Sequence, residues 1–70
     1  MIKVRLFNDD DGMRDIDSYG EDYGFKATFI TSRYNEDSES MEDEWILEGE
    51  EEGIEAFIED YCLEEVVEYL

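Results

Sequence analysis

The chain has no proline, no histidine and a single cysteine in 70 residues. Without histidine there is no Ser-His-Asp or Cys-His nucleophile pair. One cysteine, Cys62, cannot close an internal disulfide, and zinc sites need several Cys or His ligands. Cys62 also lacks a basic neighbour to lower its pKa, so it is expected to be a small core residue. No Gly-rich phosphate loop is present, and no stretch approaches the roughly 18 apolar residues of a membrane span. Met1 leads directly into a patterned strand, not into a charged and then apolar leader, so a cytoplasmic protein is expected.

Basic residues are also scarce. Five Lys and Arg face 23 Asp and Glu, a formal net charge of −18. All five (Lys3, Arg5, Arg14, Lys26 and Arg33) lie in residues 1–35, which hold seven acidic residues and net −2. Residues 36–70 hold sixteen acidic residues and no base, a net of −16. A surface of this kind cannot displace counterions from a phosphate backbone, so direct DNA or RNA binding is excluded. Apolar residues still make up 41% and aromatics 14%, more aromatic content than acidic disordered chains carry. With no linker and no repeat, the expectation is a single acidic domain over residues 1–70.

Ile2 to Phe7 alternates apolar Ile2, Val4 and Leu6 with Lys3 and Arg5, the period of a half-buried strand. Asn8 to Gly12 reads as a turn. Phe25 to Thr31 alternates again, and Glu44 to Glu48, around Trp45, Ile46 and Leu47, reads as a third strand, with a helical turn as the alternative, after a loop at Asn35 to Ser40. From Glu50 the period changes: Ile54, Phe57, Ile58 and Tyr61 share one helical face. Cys62, Val66, Tyr69 and Leu70 continue the pattern with a rotation, which predicts a bend near Cys62 and two helical pieces. Residues 13–24, with Tyr19, Gly20, Tyr23 and Gly24, read as an irregular aromatic loop or ragged strand. The expected fold class is α+β: a small antiparallel sheet of about three strands packed against one bent or two short C-terminal helices.

Asn8 to Asp17 is rich in carboxylates, but aligning Gly12 with the glycine of an EF-hand loop puts Phe7 at the first ligand position and Ser18 where a bidentate Glu belongs. A solvated acidic turn is the simpler reading, with weak Ca²⁺ or Mg²⁺ binding as the alternative; no metal or cofactor is expected. Paired carboxylates need a pocket that separates their pKa values, for which 70 residues leave little room. The chain is therefore expected not to be an enzyme. Tyr19, Tyr23, Phe25, Phe29 and Phe57 are expected in the core more than in a ligand cage. Trp45, among Asp43, Glu44 and Glu48, is either core or an interface anchor.

What remains is the acid itself. On a helix, Glu48, Glu52, Glu55 and Glu59 fall three or four residues apart, with Glu51 beside them. Like charges at i, i+4 cost about 0.2 to 0.5 kcal/mol per pair, and no base after Arg33 relieves them. Glu64, Glu65 and Glu68 oppose a helix dipole near the C-terminus. A solubility coat would spread over the whole chain, whereas this acid is concentrated in one half. Residues four apart on a helix rise about 6 Å, and duplex DNA carries one charge per roughly 1.7 Å of axis. A double row of Glu therefore approaches the charge density of a phosphate backbone, and Arg and Lys pair with carboxylates much as with phosphates. The candidate partner-binding residues are Asp43, Glu44, Glu48, Glu51, Glu52, Glu55, Glu59, Asp60 and Glu64.

In size, charge and the one-sided run from Glu36 to Glu68, the chain resembles small acidic DNA-mimic inhibitors of phages and mobile elements, among them anti-CRISPR and anti-restriction proteins. The resemblance covers the C-terminal half. It implies a protein of the host cell cytoplasm that occupies the nucleic-acid site of a basic DNA-binding partner, a Cas effector complex or a restriction enzyme. For an anti-CRISPR it implies blocked access to target DNA or its PAM. An acidic protein-interaction module, antitoxin-like or a regulatory subunit, is the alternative. Repulsion between copies at −18 predicts a monomer.

Overall fold

The computed structural model describes residues 1–9, 15–37 and 39–70. Its elements run β1 (Ile2–Asp9), α1 (Ile16–Tyr23), β2 (Phe25–Asn35), β3 (Ser40–Gly49), α2 (Glu51–Asp60) and β4 (Val67–Tyr69). The four strands form one antiparallel sheet in the order β2-β3-β1-β4. Both helices pack on the same face of it. The three strands read from the alternation are present, each longer than its apolar core suggests.

Alternation decides which face is covered. Val4 and Leu6 of β1, Leu47 of β3, and Phe25 and Ala27 of β2 are buried against Ile16 of α1 and Ile54, Phe57 and Ile58 of α2. Burying each large side chain of this set contributes about 1.5 to 3 kcal/mol. Tyr19, Tyr23, Phe25 and Tyr61 surround Phe57, with ring centroids 4.9 to 5.6 Å from it. Four of the five aromatics expected in the core thus belong to it or pack against it. Phe29 does not: it is 50% exposed and meets Trp45 edge-on at 5.4 Å.

The expected C-terminal helical cover is overturned. One helix lies between β1 and β2, in the stretch expected to be irregular, and the chain ends in a strand, which gives the sheet four strands. Ile16, Tyr19, Gly20 and Tyr23 have helical spacing, and Gly24 ends α1 in the left-handed region (φ 79°), its N–H donating to the Gly20 carbonyl. Glycine is required a second time at Gly53, where a β-carbon would collide with the carbonyl oxygen of Tyr23. That approach is how α1 and α2 come together.

At Cys62 the expected bend is a full stop. Cys62 has φ 54° and is exposed, not in the core as expected. Its N–H donates to the Glu59 carbonyl (3.3 Å) and that of Leu63 to the Ile58 carbonyl (2.9 Å), a Schellman closure with Leu63 packed on the core. A left-handed residue cannot continue a right-handed helix. Val67–Tyr69 instead pairs with β1, with Val4 opposite Tyr69 and Leu6 opposite Val67. This edge pairs with the backbone of a segment that can no longer continue the helix.

β2 and β3 form a long hairpin whose turn lies within the expected Asn35 to Ser40 loop. A bulge between Phe29 and Thr31 interrupts its register, and its distal half extends past the helices, leaving Tyr34 and Met41 exposed.

Candidate functional site

The acidic surface is built by the helices. With Ile54, Phe57 and Ile58 buried, the 100° turn per residue turns Glu52, Glu55 and Glu59 outward together, Glu51 to one side and Asp60 to the other. All five are exposed. Glu51 and Glu52 stand in the first turn, where the helix dipole favours negative charge, while the last turn has no basic residue.

α1 extends this surface. Asp17, Glu21 and Asp22 are exposed on the same side of the molecule, and sequence reasoning missed them because it gave residues 13–24 no helix. The signal was present in the spacing of Ile16, Tyr19, Gly20 and Tyr23. Together the two helices present eight carboxylates and no basic residue.

Asp60 ties the helices to each other. It accepts a hydrogen bond from the Tyr23 hydroxyl at 2.7 Å. This bond, with burial and the nearby Asp60 charge, pushes Tyr23 up to about 12. On β4, burial raises the Tyr69 hydroxyl above its ordinary value, and the charges of Glu55 and Glu51 add to the shift.

The remaining candidates separate from this surface. Glu48 lies in β3, not on the helix with Glu52, and its side chain stands on the opposite face of the sheet, 3.4 Å from Lys3 Nζ. Glu44 is on that face too, its Oε2 3.3 Å from Arg5 Nε, with only 18% of its side chain exposed. Asp43 shares the helical side of the sheet with Leu47 and Trp45, and accepts a hydrogen bond from the Ser32 hydroxyl. Glu64 is exposed in the turn between α2 and β4. Five of the nine candidates, Glu51, Glu52, Glu55, Glu59 and Asp60, thus form one continuous surface.

The sheet's open face has a different character. Lys3, Arg5, Lys26 and Arg33 all stand on it, opposite in register to Glu48, Ile46, Glu48 and Glu42. Arg5 bridges Glu44 and Glu68, with 3.4 Å from Nη1 to the latter, and Arg33 Nε lies 4.0 Å from Glu42. The Arg33 guanidinium also sits over the Phe7 ring at 5.4 Å. Trp45 is half-buried, so the indole is not an exposed anchor.

Among the described residues no group of three or more Cys, Asp or Glu is arranged to hold a metal ion. The calcium reading of Asn8 to Asp17 falls mainly on residues 10–14, outside the described residues. No helix among the described residues is long and apolar enough to cross a membrane. Comparison with protein-family models, curated proteins and solved structures finds no match to this chain.

Proposed function

We infer that the helical face is a decoy for a nucleic-acid backbone, and that the protein inhibits a DNA-binding partner by filling its basic groove with carboxylates. The observation that carries this reading is the segregation of charge: α1 and α2 present acid alone, while the described cations stand on the other side of the sheet. A face that needed acid only for solubility would gain stability from interspersed cations. This one keeps its repulsion among the described residues, whose cations stand elsewhere. The protein acts by occupancy, without catalysis and without a cofactor. The partner class is a Cas effector complex whose target DNA or PAM site is basic; a restriction enzyme is the alternative, since its groove offers the same Arg and Lys donors.

The test is competition. The purified chain is titrated against Cas effectors and restriction enzymes with labelled duplex DNA already bound. The expected outcome is displacement of the duplex, with affinity falling steeply between about 50 and 200 mM salt as phosphate-like contacts do. Binding to such a protein without any competition from duplex DNA would sink the mimicry and leave the acidic interaction module.

A further inference from the structure

A second molecule approaching this protein meets −18 of charge overall but not on every side. On the open face of the sheet the four described cations meet four carboxylates, Glu42, Glu44, Glu48 and Glu68, so these charges cancel. Between them stand the uncharged side chains of Thr28, Ile30 and Ile46. Ile30 is 48% exposed, and with Ile46 and Thr28 it lines a concavity of about 250 Å³ between Lys3 and Lys26.

We propose that this face docks a second copy of the chain, the two sheets packing face to face about a twofold axis. The argument is electrostatic. Packed sheets stand about 10 Å apart, and a helical layer adds about 10 Å outside each, so the two acidic surfaces end roughly 30 Å from each other. That is well beyond the Debye length of about 8 Å at physiological salt, whereas contact through any helical face sets acid directly on acid. A twofold axis also lets the Lys and Arg of one copy pair with the Glu of the other. The monomer expected from net charge therefore describes the helical face and not this one.

Area sets the strength. The molecule measures 33 × 20 × 19 Å, which caps the contact at roughly 650 Å² per copy, below the about 800 Å² of a standard interface. The dimer is accordingly weak and concentration-dependent. It leaves both helical faces free, so it stands or falls independently of the inhibitor reading.

Sedimentation equilibrium of the full chain, from about 10 µM to 1 mM and at about 50 and 500 mM NaCl, tests it. The dimer fraction is expected to rise with concentration, and its Kd to change by less than about tenfold between the two salts, because the acidic surfaces stand beyond a Debye length at both. Binding to a basic partner must by contrast weaken steeply over the same range. Ile30→Glu and, separately, Thr28→Glu, both at exposed positions, are expected to hold the chain monomeric while its thermal unfolding and circular dichroism stay unchanged. Glu52→Gln on the helical side is expected to keep the dimer. A monomer throughout both salt series, a dimer whose Kd shifts by more than about tenfold between the two salts, or one that survives both open-face substitutions would overturn the proposal.

Discussion

The two sides of the sheet use the same residue type in opposite ways. On the open face each glutamate named above has a cation across the ladder or beside it. On the helical face Glu51, Glu55 and Glu59 follow one another at i, i+4 with no cation among the described residues. The first arrangement contributes little, since exposed ion pairs are worth about 0 to 1 kcal/mol. The second costs about 0.2 to 0.5 kcal/mol per neighbouring pair. Net charge therefore says less about this protein than where its few cations sit.

The comparison breaks most visibly through charge reversal. Replacing Glu52, Glu55 and Glu59 together by Lys is expected to lower affinity for the basic partner by more than about 100-fold, because it reverses the charge a phosphate-reading groove meets. Glu44→Gln with Glu48→Gln, on the other side, is expected to change it by less than about threefold. Equilibrium titration of both variants decides; equal losses would mean that the helical surface is not the binding face.

Stability separates the faces more finely. The helices are held by Phe57, and Phe57→Ala is expected to cost about 3 to 5 kcal/mol in denaturant unfolding. Gly53→Ala, which forces a methyl group against the Tyr23 carbonyl, is expected to cost about 1 to 3 kcal/mol. The smallest effects have opposite signs: Glu55→Gln, between two like charges, is expected to stabilise by about 0.5 kcal/mol, and Glu48→Gln, which loses its pair with Lys3, to destabilise by no more than that. Both shifts should shrink at high salt.

Alkaline pH probes the joint between the helices. The Tyr23 hydroxyl is raised from 10.0 to about 12 in the fold, chiefly by donating to Asp60. A group whose folded value is raised contributes stability below its unfolded value and loses it as pH climbs through the folded one. The contribution should therefore be intact below pH 10 and fade between 10 and about 12. Tyr23→Phe should lessen the fall of the unfolding midpoint across that window, leaving the part due to Tyr69; an unchanged profile would mean that the bond to Asp60 does not contribute.

Much of the scaffold was legible before the fold was known. Strict alternation around Val4 and Leu6, and around Phe25 and Ala27, identified strands with one buried face. Ile54, Phe57 and Ile58 identified a helix with one buried stripe. What was misread were places where local pattern and tertiary context disagree. Val66, Tyr69 and Leu70 have spacing compatible with a helix, but the left-handed Cys62 and the open edge of β1 turn the segment into a strand. α1 carries only Ile16 and Gly20 as fully buried positions, too thin an apolar stripe to stand out among aromatics and acids. The acidic stripe Glu52, Glu55 and Glu59 was readable because helical periodicity is local. Glu48 was misplaced because its spacing to Glu52 matches a helix, although its own alternation with Leu47 belongs to β3.

The sequence alone determined the amounts: an excess of carboxylate, no basic residue after Arg33, enough apolar side chains for one small core, and the periods that assign most of them to strand or helix. Only the tertiary structure decided the sides. Covalent order places Glu48 and Glu52 four residues apart, but the core claims one face of β3 and one stripe of α2, so their carboxylates emerge on opposite sides of the sheet. Burial selects the face of each element, and pairing across strands separated by dozens of residues determines which charges meet. Both are non-local, and so no local pattern could record which cation each strand glutamate would meet.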